Sequence, residues 1–558
     1  MCSSPVISCP CMPAMMEIRL VIAFSIPAAS RSARRWSSDQ PFEVYLARMP
    51  PPDGGGIFVN AVCSSILILS LLAMATSLHS FLAGPVMLMK NLRSFFLVLI
   101  PLYAYGAAAF GKQVEVIWET AHAGNPVLPG YFADPSVLVQ DGKFFVYATN
   151  DPWGGETLGC WESADFKQWT FRALNWPTKA ACTSATSKGA MVWAPSVVRA
   201  KSGEFFMYVS VGSEVWVGVA DAPLGPWKNA LGDKPLIAGN WKPEFHMIDA
   251  EAFVDADGSA YLYWGSGWNW TNGRCFAVKL KADMVTFDGE PRDVTPANYF
   301  EAPFMVKQGG KYFLTYSNGK TISDTYEVRA AVGDSPLGPF VEIGESPILA
   351  SNMRNDLISP GHHAVFAHGG KSYIAYHRHR LPFEENTAFR QVCVDELTFT
   401  DYGTINKVVA THSGPAFVQG RAMAGNLATT EAGAVATASS VAPGQFSGAA
   451  RVIDDNYATL WTASAEAKGG WLQLDLGATK AVKKSVLRFE YAWKKYAFTL
   501  ESSADGKTWK RLSDQRAGGG VSGSPVTVEH AGEARYLRIV FPGTVAGKEI
   551  GVIEWAVF

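Results

Sequence analysis

The chain has 558 residues, of which 48% are hydrophobic and 18% charged, with a formal net charge of −2. This composition excludes a disordered or collagen-like polypeptide and gives room for about two to four domains with sizeable cores. No run of Lys and Arg stands out, which argues against a nucleic-acid partner, and the 18 Trp, 19 Tyr and 32 Phe suit sugar stacking and aromatic sheet cores alike.

In chain order, the first recognisable element is a targeting signal. Lys90 and Arg93 precede the apolar run Phe95–Tyr103, and Ala107, Ala108 and Ala109 close it. That is the layout of a secretory signal peptide over 89–109. Such a peptide begins at an initiator Met, so Met87 or Met89 is the expected start and 1–88 an extension from a mispredicted reading frame. A membrane anchor within 57–89, which is long enough to span, is the alternative. The expected location is secreted or periplasmic, with no membrane segment in the mature form. Cys160, Cys182, Cys275 and Cys393, which follow the signal, have no metal-site spacing. Export leaves a disulfide open, with Cys160 and Cys182 the nearest pair.

Next come five copies of one phrase: "DPSVLVQDGKFFVYAT" (134–149), "APSVVRAKSGEFFMYVS" (194–210), "DAEAFVDADGSAYLYWG" (249–265), "APFMVKQGGKYFLTYS" (302–317) and "HHAVFAHGGKSYIAYH" (362–377). Each reads as a short apolar strand, a Gly-containing turn and an aromatic strand, hence a β-hairpin. The phrases "VADAPLGPW" (219–227) and "VGDSPLGPF" (332–340) repeat between hairpins, and no helix of useful length competes over 120–412. A repeat longer than 50 residues built from short strands predicts a β-propeller, here with five blades. The heads of the phrases, Asp134, Ala194, Asp249, Ala302 and His362, then converge on the central channel, with Glu301 one residue before Ala302.

Buried carboxylates cost several kcal/mol unless paired or solvated, so this collection is not explained by packing. Two carboxyl groups flanking an acetal, one acid and one base, are what glycoside hydrolysis requires. A turn cap is the bland alternative for each acid, and it is the reading adopted for Asp255 and Asp257 in "VDADGS".

The ordered motifs "ADPSV", "VWAPSV", "MIDAEAF", "FEAPFM" and "GHHAVF" resemble glycoside hydrolase family 43 over about residues 120–412. The resemblance implies a five-bladed propeller that inverts anomeric configuration and acts on arabinose- or xylose-containing polysaccharides or oligosaccharides. It also implies Asp134 as general base, Glu301 as general acid and Asp249 as the residue that tunes and orients the acid. α-L-Arabinofuranosidase or β-xylosidase is the leading activity. Exo-β-1,3-galactanase, a fructan-acting enzyme and a non-catalytic carbohydrate-binding propeller are the alternatives. Phe132, Trp193, His362 and Arg390 are expected to bind substrate, and His362 is also a candidate ligand for a Ca²⁺ in the channel. His363 should point the other way by strand alternation. "YHRHR" (376–380) splits between two faces and reads as strand.

After the propeller region 110–415, an Ala-, Gly- and Thr-rich stretch at 416–425 reads as a linker. Residues 426–558 carry short alternating strands at 470–477, 483–491, 496–512 and 534–541, which predict an antiparallel β-sandwich. The phrases "RVIDDNYATLW", "WLQLDLG", "SADGKTW", "RYLRI" and "IEWAVF" resemble the discoidin or coagulation-factor C-type domain, the jelly roll of family 32 carbohydrate-binding modules. The resemblance implies a structural Ca²⁺ at Asp454, Asn456, Thr459 and Glu554, with an ordinary Asx-turn as the alternative. Both sugar binding and retention as a structural appendage stay open. The overall expectation is an all-β, monomeric, two-domain protein without an organic cofactor.

Overall fold

Three of the five repeated hairpins turn on two residues that both hold positive φ: Asp141-Gly142 (51°, 73°), Gly309-Gly310 (56°, 80°) and Gly369-Gly370 (57°, 79°). This is the two-residue turn whose twist matches that of the flanking strands, and it sets the registers Gln140↔Lys143, Gln308↔Lys311 and His368↔Lys371. The computed structural model describes residues 117–443, 448–464, 470–543 and 550–558. The expected signal peptide and extension lie outside the described residues.

Each repeat grows into an antiparallel sheet. Blade 1 comprises β1 (Phe132–Gln140), β2 (Lys143–Asn150), β3 (Thr157–Ser163) and β4 (Thr170–Thr178). Blade 2 comprises β5 (Val192–Arg199), β6 (Phe205–Val211), β7 (Val215–Ala220) and β8 (Lys228–Asn229). Blade 3 comprises β9 (Glu251–Val254), β10 (Ala260–Trp264), β11 (Phe276–Leu280) and β12 (Arg292–Asp293). Blade 4 comprises β13 (Glu301–Gln308), β14 (Lys311–Asn318), β15 (Glu327–Gly333) and β16 (Val341–Glu342). Blade 5 has β17 (Gly361–His368), β18 (Lys371–His379) and β19 (Arg390–Leu397). The chain before β1 runs along the edge of β19, where the Val127 N–H donates to Val392 O (2.8 Å) and Asn125 Nδ2 to Val394 O (2.9 Å). The ring is thereby closed between its two ends.

Blades pack on both faces, which is why consecutive residues of their second strands are buried rather than alternating with exposed ones. Consecutive side chains divide between the two neighbours: Phe144 joins the core with Phe366 and Tyr373 of blade 5, and Phe145 joins Val197 and Met207 of blade 2. Each such aromatic contributes about 1.5–3 kcal/mol by burial. Cys160, Cys182, Cys275 and Cys393 are free, buried thiols, so the Cys160–Cys182 pairing left open by the sequence is not formed.

The second region is a sandwich of β20 (Val435–Ala438), β21 (Trp461–Thr462), β22 (Gly470–Phe489), β23 (Thr499–Ser503), β24 (Lys510–Asp514), β25 (Val526–Phe541) and β26 (Gly551–Val557). The expected strands 470–477 and 483–491 are one 20-residue strand, β22, whose register with β25 shifts between Asp475 and Lys480. Such irregularities bend a strand, and this one pairs with β25 along most of its length and with β26 over residues 485–489. Trp461, Leu474, Leu487, Phe498, Ile539 and Trp555 fill the core. The stretch expected as a linker is packed: Val418 sits in the core between blades 1 and 5, and Arg421 is 3% exposed.

Candidate active site

All five phrase heads share one backbone geometry. Asp134, Ala194, Asp249, Ala302 and His362 have φ of 53°, 48°, 58°, 55° and 37°, the left-handed region, which costs a non-Gly residue about 1–3 kcal/mol. In four blades the strand register shifts at this point, and a bulge of this kind re-aims side chains beside active sites.

The strain is offset by a ring of hydrogen bonds between blades. The Ala194 N–H donates to Thr149 Oγ1 (2.8 Å), that of Asp249 to Ser210 Oγ (2.9 Å), that of His362 to Ser317 Oγ (2.9 Å) and that of Asp134 to His377 Nδ1 (3.3 Å). Each acceptor stands at the same place on the second strand of the preceding blade. In blade 3 that place is Gly265, which offers no acceptor, and the Ala302 N–H turns to the Asp249 carboxylate. The sequence already held this pattern at the ends of the five phrases, where Thr149, Ser210, Gly265, Ser317 and His377 line up.

The heads open into a cavity of about 290 Å³ lined by Asp134, Asp249, Glu301, His362, Arg390 and Trp193, among others. Asp134 accepts from Thr149 Oγ1 (2.7 Å) and from Arg390 Nη1 (3.0 Å), and His362 Nδ1 lies 3.3 Å from its Oδ1. Burial opposes its ionisation, but the Arg390 guanidinium outweighs burial and holds its carboxyl far below the usual range. Arg390 is fixed from behind by Asp151, which receives Nε and Nη2 at 2.8 Å each and the Arg390 N–H at 3.0 Å. Asp151 was not legible in the sequence; nothing in "TNDPW" marks it as the partner of a residue 239 positions away.

Glu301 Oε1 accepts from the Tyr326 hydroxyl (2.8 Å) and Oε2 from Ser266 Oγ (2.9 Å). Burial, with the charge of Asp134 adding to it, outweighs these hydrogen bonds and raises its carboxyl to about 7. Asp249 is pushed up by burial and by facing Glu301 and Asp134. The Asp249–Glu301 pair therefore retains a proton near neutral pH, whereas Asp134 does not. Environment alone separates three similar side chains into proton holders and an acceptor.

His362 is kept neutral by burial, and its Nδ1 faces Asp134 and, at 3.7 Å, Asp249. His363 points away and meets Thr315 Oγ1 at 2.7 Å, as alternation requires. His377 and His379 share a face and reach Thr321, in line with the strand reading of "YHRHR". Phe132 does not reach the cavity. It is fully buried, with its ring against Trp161 (5.2 Å) and Trp493 (5.3 Å), so its expected substrate contact is corrected to a packing role. His246 lines the cavity, stacked on Trp268 with ring centroids 4.2 Å apart. Asp255 pairs with Lys307 (2.6 Å), and Asp257 Oδ1 caps its turn by accepting the Ser259 N–H (2.7 Å).

In the sandwich, Asp454 Oδ1 and Glu554 Oε1 both accept the Asn456 N–H (3.1 and 3.0 Å), and Thr459 Oγ1 donates to Asp454 Oδ2 (2.7 Å). Two buried carboxylates sharing one donor, with a hydroxyl beside them, fit a hard cation. The Asn456 side chain does not: Nδ2 donates to Trp118 O and Thr120 O, and Oδ1 accepts the Ala458 N–H. Among the described residues, no group of three or more His, Cys, Asp or Glu is arranged to hold a metal ion.

Comparison with known proteins accords with this geometry. A family model for glycosyl hydrolases family 43 matches residues 123–405, and one for the F5/8 type C domain matches 435–554. The chain is 33% identical over 319 residues to beta-D-galactofuranosidase xynD of Aspergillus niger, covering 54% of this chain and 88% of that protein. It is 26% identical over 371 residues to arabinoxylan arabinofuranohydrolase of Bacillus subtilis, covering 57% and 70%. A solved structure described as a glycoside hydrolase superposes with a TM-score of 0.66 at 27% identity, covering 79% of this chain and 99% of that one. With its five-bladed propeller, its trio of buried acids and a match over half its length, the chain belongs to glycosyl hydrolases family 43 and carries a C-terminal F5/8 type C domain.

Proposed function

We propose that this enzyme is an inverting α-L-arabinofuranosidase or β-xylosidase acting on plant-type polysaccharide or oligosaccharide, with Asp134 as base and Glu301 as acid. The observation that carries the reading is the contrast between these two acids on the wall of one cavity: Asp134 is ion-paired to Arg390, whereas Glu301 is buried against the Tyr326 and Ser266 hydroxyls. Asp134, ionised beside Arg390, takes a proton from the attacking water. Glu301, protonated up to about 7, gives its proton to the glycosidic oxygen as the bond breaks. Tyr326 and Ser266 fix the orientation of Glu301, while Asp249 keeps a proton within the pair. Trp193 and Arg390 line the cavity where the sugar binds.

A second reading is favoured by the relative at 33% identity, whose name gives β-D-galactofuranoside as its substrate. That sugar and α-L-arabinofuranose share their ring configuration and differ in the exocyclic chain, so one furanose cavity can serve both. Hydrolysis of 4-nitrophenyl α-L-arabinofuranoside, β-D-xylopyranoside and β-D-galactofuranoside by wild type and Glu301→Gln tests these readings. Cleavage of none of them, or full activity in the variant, overturns the assignment. Product anomers followed by NMR test inversion separately.

The proposal includes secretion through the signal at 89–109 and a structural Ca²⁺ held by Asp454, Thr459 and Glu554, remote from the chemistry. Chelation with EDTA should lower the melting temperature of wild type by a few °C, with Ca²⁺ restoring it. Asp454→Asn should abolish that response, and an unchanged melting temperature in wild type removes the ion from the account.

A further inference from the structure

The sandwich touches the propeller at an unusual place, the short run of chain that leads into Asp134. Gly130 has φ of 103°, and a Cβ there would lie 2.5 Å from Glu490 O, so the missing side chain is what admits the sandwich backbone. Tyr131 packs edge-on to Phe389 (5.2 Å), the neighbour of Arg390, and also meets Tyr491 of the sandwich (5.9 Å). Phe132 is held between Trp161 of its own blade and Trp493 of the sandwich, both at near-perpendicular angles of 86° and 78°. Ala492, between the two sandwich aromatics, is 1% exposed inside the core shared by blades 1 and 5.

The wedge is itself braced. The Tyr491 N–H donates to the Tyr496 hydroxyl (3.1 Å), and Tyr496 stacks on Phe489 with centroids 4.2 Å apart. The Gly523 N–H donates to Ala492 O (2.7 Å). On the propeller side, the Asp151 N–H donates to Tyr131 O (3.2 Å), so the residues that anchor Arg390 share this stretch of backbone. The head at Asp134 is in a strained conformation, and such conformations persist only where their surroundings over-determine them.

We propose that the sandwich is a positioning element of the active site, in which Trp493, acting through Phe132, holds Asp134 in register with Arg390 and Asp151. The second domain is then part of the catalytic framework, whatever else its surface binds. This inference rests on Asp134 being the base.

The test uses the full-length enzyme and 4-nitrophenyl α-L-arabinofuranoside, or whichever of the three glycosides it cleaves best. Trp493→Ala should lower kcat about tenfold with KM within about twofold, as expected for a sub-ångström displacement of a reacting group. The acid limb of its kcat/KM profile should move to higher pH, because a base loosened from Arg390 protonates more readily. Trp493→Phe should restore both, since it keeps an aromatic edge against Phe132. Trp493→Leu, which preserves bulk and folding, should fall between them. Gln168→Ala removes a hydrogen bond from blade 1 to the connecting segment, at Arg421 O, and should leave kcat unchanged. Wild-type kcat and pH profile in both the Ala and Leu variants, or an equal loss in Gln168→Ala, overturns the positioning role while leaving Asp134 as base. Full activity in Asp134→Asn overturns the base assignment and this inference with it.

Discussion

Two buried acid clusters in this chain start from the same ingredients and end differently. Asp249 and Glu301 in the propeller, and Asp454 and Glu554 in the sandwich, are close carboxyl pairs that burial raises first, with the partner's charge adding to it at Asp249 and Glu554. In the propeller the pair opens onto a cavity, and a third acid, Asp134, is held ionised by Arg390. In the sandwich the pair is closed over by the Asn456 N–H and the Thr459 hydroxyl, and the nearby Arg421 spends its donors on Ala123 O, Gly124 O, Pro126 O and Asp455 O. One arrangement leaves a proton free to move to a substrate, and the other ties two segments of chain together. A raised carboxyl is therefore a sign of burial in company, and only access to a cavity turns it into a catalyst.

The largest expected effect separates the clusters by activity. Glu301→Gln should lower kcat on an unactivated oligosaccharide by about 10³-fold, within the range for loss of a general acid. Asp454→Asn should leave kcat unchanged; a comparable loss there erases the distinction. The pH profile sharpens the same point. With Glu301 as the proposed acid, wild-type activity should fall as pH rises through about 7, and the glutamine variant should lack that limb.

The next effect is on stability. Arg421→Ala strips a buried cation from four carbonyls of the connecting segments, which should cost about 3 kcal/mol and lower the melting temperature by several °C. Calorimetry or thermal unfolding followed by fluorescence reads this, and a melting temperature equal to wild type shows that the carbonyls find other donors.

The smallest is a tuning effect. Asp151→Asn keeps the shape but weakens the anchor of Arg390, so kcat should fall about tenfold, roughly the loss of one charge-assisted hydrogen bond. The acid limb should move upward as the Asp134 carboxyl drifts towards its ordinary range. Unchanged kinetics would mean that Arg390 is held by Asp134 alone.

Much of this was legible in the residues. The Gly-containing turns, the 53- to 60-residue spacing and the changing heads are local signals, and they specify hairpins, blades and a ring of acids without any long-range information. The sandwich strands follow from alternation in the same way. Phe132 was misread because its position two residues before Asp134 suggests the cavity, whereas its ring turns outward to Trp161 and Trp493. The break placed after Gly477 failed because a glycine at φ 78° can bend a strand without ending it.

The sequence by itself determined which acids exist, where along the repeat they stand and that five heads share one channel, because turn chemistry and strand period act over a few residues. Tertiary structure decided which acid keeps its proton, that Asp151 stands behind Arg390, and that the second domain wedges against the strand of Asp134. Those outcomes depend on burial and on distances between residues hundreds of positions apart, which no local pattern encodes.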